Sequence, residues 1–173
     1  MHTIKVKFIN MCYFMRMLKD KTYQSVLNVF YGDFKNVERI YKENDTVYTH
    51  LVKLLNTPMT PIIDNIILGN SCNACAYYDL IDVDVGAIIN VSKEFSNYFQ
   101  DNLKYYNIRL NDQNKEAFSI QELKQAVSFI TVMSETELNE DGTPKKILIH
   151  CYMGSSRSAT IVSAYLISKY NYT

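Results

Sequence analysis

Five residues lie between Cys151 and Arg157, two side chains that together can act on a phosphate ester. A thiolate can attack phosphorus, and a guanidinium can bind two phosphate oxygens through parallel hydrogen bonds, which lysine cannot do. The apolar run 147–149 predicts that a strand ends just before the cysteine, and a helix is predicted to begin at residue 156. The spacing therefore predicts a nucleophile and an anion site in one short loop.

This predicted loop would itself favour the thiolate form of the cysteine. A short loop that enters a helix directs several backbone N–H groups at one point, and the helix dipole adds positive potential there. Such a field and a nearby cation lower the pKa of a cysteine from about 8.5 toward roughly 3.5–7.5. Gly154 permits backbone angles that a side chain would forbid. The predicted phosphate-binding loop comprises Tyr152, Met153, Gly154, Ser155, Ser156 and Arg157.

Alternating strand and helix patterns predict an α/β fold, with a central mixed, mostly parallel sheet of four to five strands flanked by helices. The clearest helix starts at Ser119, which is predicted to form a capping box with Glu122. The last helix is apolar nearly all round, which predicts a place in the middle of the domain. The predicted strands are 62–68, 86–91, 105–110 and 146–150, and the predicted helices are 73–81, 119–133 and 156–170.

Pro58 marks a predicted boundary, because Pro58 and Pro61 interrupt any helix that reaches them. Residues 1–57 carry helical spacing in pieces and are predicted to form a helical N-terminal extension. Residues 58–173 are predicted to form the α/β domain that holds the loop.

The composition is that of a folded protein without net charge. Lys and Arg total 18 and Asp and Glu total 18, so neither nucleic acid nor an anionic membrane is expected as a partner. No segment approaches the roughly 20 apolar residues of a membrane span. The four cysteines are too few for a disulfide scaffold. We therefore expect an intracellular protein, cytoplasmic or nuclear, with reduced thiols.

The sequence around the loop resembles the signature of the protein tyrosine phosphatase superfamily. The matching residues follow the pattern HCxxGxxRS and are His150, Cys151, Gly154, Arg157 and Ser158. Further likeness to the dual-specificity branch is found in its opening block (67–70 and 89–92), in the stretch that ends in its catalytic acid (106–112), and after the signature (159–167). The resemblance covers residues 58–173 and implies a dual-specificity phosphatase-like catalytic domain.

The resemblance also implies a two-step hydrolysis through a cysteinyl-phosphate intermediate. Cys151 would attack the phosphoryl group, while Asp112 would protonate the leaving oxygen and then activate water. Ser158 would donate a hydrogen bond to the departing thiolate, and His150 would order the loop around the cysteine. This chemistry needs neither a metal nor another cofactor, so none is expected.

The substrates implied by the resemblance are phosphoproteins that carry phosphotyrosine, phosphoserine or phosphothreonine. A short domain without an extended recognition segment implies a shallow pocket, which would accept all three. RNA 5′-phosphatases and phosphoinositide phosphatases of the superfamily use the same loop chemistry with extra basic residues, and positions 152–156 hold none. Both stay as alternatives, together with a catalytically weak phosphoprotein-binding relative.

The sequence stops at residue 173, soon after the signature arginine, whereas members of the family continue through further helices. The C-terminal helices of the domain are therefore expected to be missing. Their absence would expose an apolar surface, or this surface would be covered in a dimer or by the N-terminal segment. The sequence does not decide the oligomeric state.

Cys72 and Cys75 form a C-x-x-C pair, a spacing known from zinc sites. A structural zinc site needs four ligands, and the chain has no second pair of this kind, so zinc is not expected. A redox partnership with Cys151 is one interpretation. Two partly buried thiols without a role are the simpler one.

Overall fold

A five-stranded mixed sheet forms the centre of this computed structural model, which describes residues 57–110 and 117–171. The strands are β1 (Thr60–Ile63), β2 (Ile66–Gly69), β3 (Val85–Asn90), β4 (Lys104–Asn107) and β5 (Lys146–His150). The helices are α1 (Ser71–Cys75), α2 (Tyr77–Asp82), α3 (Ile120–Thr136) and α4 (Arg157–Tyr170).

The strands are arranged in the order β1-β2-β5-β3-β4. β1 is antiparallel to β2, and the three other neighbouring pairs are parallel. Parallel neighbours need crossover connections. Helices lie in the connections from β2 to β3 and from β4 to β5, whereas the connection from β3 to β4, residues 91–103, contains no helix. The predicted fold class, a mixed and mostly parallel sheet of four to five strands with flanking helices, is confirmed.

Opposite faces of the sheet contribute to two hydrophobic cores. On β5, Ile147 and Ile149 belong to one core and Leu148 to the other, as the two-residue period of a strand requires. α3 and α4 cover the first core, while Ala74 of α1 and Leu80 of α2 close the second. Every residue of β3 is buried, as expected for a central strand covered on both faces.

Two predicted elements are each divided in the structure. The predicted strand 62–68 is wrong, because a turn at Asp64 separates β1 from β2. Asp64 has a φ of 51°, a left-handed conformation that aspartate adopts more readily than branched residues do. The predicted helix 73–81 is also wrong as one element, because Ala76, with a ψ of 76°, separates α1 from α2.

The ends of the remaining elements follow the prediction more closely. α3 begins with the predicted capping box, in which Ser119 and Glu122 bond each other's backbone N–H. The predicted strand 105–110 is shifted, because β4 ends at Asn107. Ile108 and Leu110 lie beyond it and are buried in the first core, which explains why their apolar character resembled strand continuation.

α4 is less buried than its composition predicts. Ile161, Val162 and Tyr165 are buried, whereas Ile167 is 56% exposed. The helix is therefore an outer layer that packs one face on the sheet, and the prediction that it lies in the middle of the domain is wrong. Apolar residues on its outer face do not require burial, since part of every protein surface is apolar.

Four parallel strands end at one edge of the sheet. His150 is in register with Gly69 on one side and with Asn90 on the other, and Asn90 is in register with Asn107. The segments that follow these strands therefore lie side by side. In open α/β sheets this carboxyl edge is where ligands bind.

The predicted helical extension, residues 1–57, lies outside the described residues except for Thr57. The described elements belong to one compact unit, residues 58–173. The division of the chain at Pro58, and the expected absence of C-terminal helices, stay predictions. Within the described ranges, no helix is long and apolar enough to cross a membrane.

Candidate active site

The predicted phosphate-binding loop begins directly after β5 and leads into α4. Cys151 is the first residue beyond the strand, and α4 starts at Arg157. The residue at the helix N-cap, Ser156, makes no capping hydrogen bond with its side chain. The loop therefore enters the helix end at which backbone N–H groups and the helix dipole favour an anion.

Hydrogen-bond donors surround the sulfur of Cys151. Burial opposes ionisation of this thiol, but hydrogen bonds from Ser158, from the backbone N–H groups of Ser158 and Gly154, and the charge of Arg157 outweigh it and lower its pKa. The Ser158 Oγ lies 3.2 Å from the Cys151 Sγ. The site thus stabilises the nucleophilic thiolate form.

Gly154 occupies a position that only glycine fits. Its φ is 74°, and a Cβ built on it would lie 2.6 Å from the carbonyl oxygen of Gly69. The loop passes this close to the end of β2 while turning its backbone N–H toward the sulfur. The predicted need for glycine therefore has two causes, the left-handed backbone and the close approach.

Arg157 is held by contacts that the sequence did not reveal. Its Nη1 donates to the two carboxylate oxygens of Glu94 at 3.0 and 3.2 Å and to the carbonyl oxygen of Leu110 at 2.8 Å. Only 9% of the Arg157 side chain is exposed, against 34% of that of Glu94. These contacts fix the guanidinium beside the loop.

Glu94 was not predicted from the sequence, in which it is a lone carboxylate four residues beyond the end of β3. Such a residue is usually a solvated loop side chain. The one available signal is topological, because residues after two adjacent parallel strands lie at the same edge of the sheet. With β3 beside β5, a carboxylate after β3 can reach an arginine after β5.

His150 is buried next to the cysteine and is neutral. Burial lowers its pKa to about 4, against the opposing effect of the Cys151 backbone. Its carbonyl oxygen accepts a hydrogen bond from the Val91 N–H at 2.8 Å. The residue before Cys151 is therefore tied to the segment after β3, an arrangement that suits the predicted loop-ordering role.

The other predicted loop residues differ in exposure. Tyr152 and Met153 are half-buried, whereas Ser155 and Ser156 are exposed. The Tyr152 carbonyl oxygen accepts hydrogen bonds from the N–H and the Oγ of Ser71, at 3.1 and 3.2 Å. The loop is thus supported at its start and open to solvent near the helix.

These residues fall within a segment that matches a known family. Residues 66–173, more than half of the chain, match the family described as "Dual specificity phosphatase, catalytic domain". The chain belongs to this family. The predicted recognition, the dual-specificity type of phosphatase domain and its fold are thereby confirmed.

Similar proteins include named phosphatases. Protein phosphatase Slingshot of Drosophila melanogaster is 32% identical over 113 residues, which cover 65% of this chain and 10% of that protein. Protein phosphatase Slingshot homolog 2 of Homo sapiens is 31% identical over 118 residues, which cover 65% of this chain and 7% of that protein. This chain therefore spans about a tenth or less of the length of these two relatives.

Solved structures share the fold. DUSP15 has a TM-score of 0.56 and 26% identity, with coverage of 66% of this chain and 67% of that chain. The human tyrosine phosphatase-like serine/threonine/tyrosine-interacting protein has a TM-score of 0.58 and 22% identity, with coverage of 66% and 76%. The second likeness concerns the fold alone.

The predicted acid of this dual specificity phosphatase domain, Asp112, lies outside the described residues. The last residue described before it is Leu110, whose carbonyl oxygen accepts the hydrogen bond from Arg157. The catalytic assignment of Asp112 stays a prediction.

The C-x-x-C pair of this dual specificity phosphatase domain lies in α1, and both thiols are buried and reduced. Burial raises the pKa of Cys72 to about 12, and burial together with the neighbouring Cys72 raises that of Cys75. Protonated thiols are poor nucleophiles, which weighs against the redox interpretation. In the described part of the chain, no three His, Cys, Asp or Glu residues are grouped as metal ligands.

Proposed function

We propose that this protein hydrolyses phosphotyrosine, phosphoserine and phosphothreonine on proteins through a cysteinyl-phosphate intermediate. One observation carries the proposal: the Cys151 sulfur lies among hydrogen-bond donors that lower its pKa, in a loop that ends at Arg157. Nucleophile and anion site are therefore the same few residues, as in a phosphoryl-transfer site that works by positioning and electrostatics.

In the first step the Cys151 thiolate attacks phosphorus, the P–S bond forms and the P–O bond to the substrate breaks. Arg157 would bind two non-bridging oxygens. Because its Nη1 is held by Glu94 and Leu110, we assign the phosphate contact to Nε and Nη2, the opposite edge of the guanidinium.

The leaving oxygen needs a proton, and we assign its transfer to Asp112. Asp112 follows Leu110 by two residues in the sequence, and the Leu110 carbonyl oxygen accepts a hydrogen bond from Arg157. As a carboxylic acid it would donate its proton to the leaving group. As a carboxylate it would then take a proton from the attacking water.

In the second step this water attacks phosphorus, the P–S bond breaks, and phosphate and thiolate are released. Ser158 would stabilise the leaving sulfur, because a hydroxyl 3.2 Å from the Sγ can donate to a thiolate. His150 is neutral and buried and is assigned to ordering the loop rather than to proton transfer.

The proposed substrates are phosphoproteins, in an intracellular compartment, cytoplasmic or nuclear, that keeps Cys151 reduced. The phosphatases to which the chain is similar support this class. A loop without basic residues at positions 152–156 offers no extra charge to a phosphoinositide or an RNA 5′ end. No observation favours these alternatives, or a phosphoprotein-binding role without catalysis.

The test compares wild-type protein with Cys151→Ser on para-nitrophenyl phosphate and on phosphotyrosine, phosphoserine and phosphothreonine peptides. Cys72→Ser is the matched control, since it removes a buried thiol outside the loop. We expect hydrolysis by wild type and by Cys72→Ser, and only background release of phosphate by Cys151→Ser. Equal rates for wild type and Cys151→Ser would disprove the assignment. Peptide binding without turnover by wild type would establish the binding role instead.

A further inference from the structure

An aromatic contact from outside the phosphate-binding loop holds the residue that follows the nucleophile. The ring of Tyr152 stacks on the ring of Phe95, with centroids 5.6 Å apart and an interplanar angle of 23°. Phe95 is 6% exposed, and Tyr152 is half-buried. Phe95 belongs to the segment after β3, whose end lies beside that of β5. The stack therefore bridges two neighbouring segments at the site.

The support on which Phe95 rests is fixed by a buried asparagine. The Asn90 side-chain amide donates to the Phe95 carbonyl oxygen at 2.9 Å and to the Asn97 Oδ1 at 3.0 Å. Its Oδ1 accepts from the N–H and the Oγ of Ser92, at 3.1 and 2.6 Å. Asn90 and Ser92 are fully buried. The segment after β3 is thus cross-linked by hydrogen bonds around one side chain.

Tyr152 is held on two sides. Ser71 donates two hydrogen bonds to its carbonyl oxygen, and Phe95 contacts its ring. The next tightly constrained residue is Gly154, on which a Cβ would lie 2.6 Å from the Gly69 carbonyl oxygen and whose N–H bonds the sulfur. The two contacts on Tyr152 therefore constrain the start of the loop.

We propose that Phe95 is a positioning residue: by stacking on Tyr152 it holds the start of the loop, so that the Gly154 N–H stays directed at the Cys151 sulfur. Phe95 acts through Tyr152 and not on substrate. The inference rests on the proposed function for its effect on turnover, whereas its effect on the thiol does not depend on that function.

Phe95→Leu tests the proposal, because leucine keeps apolar burial and removes the ring that stacks. The readout is the pH dependence of Cys151 alkylation by iodoacetamide, followed by mass spectrometry of the Cys151 peptide. With the Gly154 donor displaced, we expect the midpoint of alkylation to rise by about half a pH unit or more. We also expect kcat for para-nitrophenyl phosphate to fall by about tenfold, with a smaller change in KM.

Phe99→Leu is the matched control for loss of an aromatic contact. Phe99 lies on the same segment and packs on Tyr77 at a centroid distance of 5.0 Å, in the second core. This variant should lower the thermal midpoint without moving the Cys151 titration. Phe95→Tyr keeps a ring and should retain the wild-type alkylation midpoint. Tyr152→Leu removes the partner ring and should reproduce the Phe95→Leu shift, even if Phe95→Leu does not fold.

The proposal is overturned if Phe95→Leu and Tyr152→Leu leave the Cys151 midpoint where wild type has it. It is also overturned if Phe99→Leu moves that midpoint as far as Phe95→Leu does, because Phe95 would then act only through general stability. The two proposals can also fail separately. If the wild-type protein hydrolyses no phosphate ester, but the Cys151 midpoint still rises in Phe95→Leu, the proposed function is refuted and the positioning role stands.

Discussion

Two regions of the domain contain buried cysteines, and their pKa values shift in opposite directions. Both thiols are nearly inaccessible to solvent, since Cys151 in the predicted phosphate-binding loop is 2% exposed and Cys75 in α1 is 1% exposed. The pKa of Cys75 is raised by burial and by the nearby Cys72. That of Cys151 is lowered despite burial, because the hydrogen bonds of Ser158 and the loop N–H groups, with the Arg157 charge, exceed the effect of desolvation.

Hydrogen bonds around the two sulfurs contribute to this difference. A bond from Tyr98 lowers the pKa of Cys75, but burial outweighs it. The Cys75 thiol donates to the carbonyl oxygen of Ser71 at 2.8 Å, a bond that requires the proton to stay on sulfur. The groups around Cys151 are N–H and O–H donors, which bond the sulfur best when its proton is absent. Burial acts on both thiols, and the donors around Cys151 are what bring its pKa below the ordinary value.

Among substitutions that keep the Cys151 thiol, the largest effect is expected at Arg157. Arg157→Lys keeps the charge and removes the planar fork that Glu94 and Leu110 hold in place. We expect kcat for para-nitrophenyl phosphate to fall on the order of a hundred- to a thousand-fold, the loss typical of one transition-state donor. Arg109→Lys makes the same exchange at an exposed position and should keep wild-type kinetics. An unchanged kcat in Arg157→Lys would mean that the guanidinium is dispensable.

A smaller effect is expected from Gly154→Ala, which combines a positive φ with a Cβ 2.6 Å from the Gly69 carbonyl. Moving the loop to relieve this clash should lower kcat by up to about a hundred-fold and raise the alkylation midpoint of Cys151. Gly142→Ala has the same backbone strain, with a φ of 82° and nothing within 4 Å of the added Cβ. Kinetic assays and thermal melts of both variants separate the effect of backbone strain from the effect of the close approach to the Gly69 carbonyl. Equal kinetic losses in both would contradict the role of the close approach.

The smallest effect in this series is expected from Ser158→Ala, which removes one donor from the thiolate. A hydrogen bond to a charged group contributes about 1.5–3 kcal/mol, so the Cys151 pKa should rise and thiolate departure should slow by roughly tenfold or more. Rapid-mixing kinetics should then show a burst of nitrophenol before a slower steady state. Ser163→Ala removes a hydroxyl that bonds only within α4, to the Ala159 carbonyl, and should show no change. If Ser158→Ala shows no burst and has the steady-state rate of wild type, Ser158 does not stabilise the departing thiolate.

Local signals made part of this site predictable from sequence. The apolar strand, Cys151, Gly154 and Arg157 all lie within residues 147–157. Their relative geometry therefore follows largely from neighbouring residues. Gly154 illustrates this, because its left-handed backbone is a property of the loop itself. The capping box at Ser119 was equally local and was confirmed.

Two contacts that could not be predicted depend on residues distant in sequence. Glu94 reaches Arg157 only because β3 and β5 are neighbours, and Phe95 reaches Tyr152 for the same reason. The turn at Asp64 interrupted an apolar run that has no glycine or proline to mark it. For Glu94 and Phe95 the deciding information is the arrangement of the strands, which a single sequence gives only weakly. The turn at Asp64 is local and depends on a residue type that favours turns.

Alkylation of the native protein by iodoacetamide across pH tests the central claim most directly, with Cys72, Cys75 and Cys151 quantified in separate peptides. Because its folded pKa is lowered, the midpoint of Cys151 alkylation in the native protein should lie below that of the same thiol in denaturant, where about 8.5 is ordinary for a cysteine. Cys72 and Cys75 should stay unlabelled in the native protein and should react only after denaturation, when all three should titrate alike. A Cys151 midpoint in the native protein that equals its midpoint in denaturant would contradict the account.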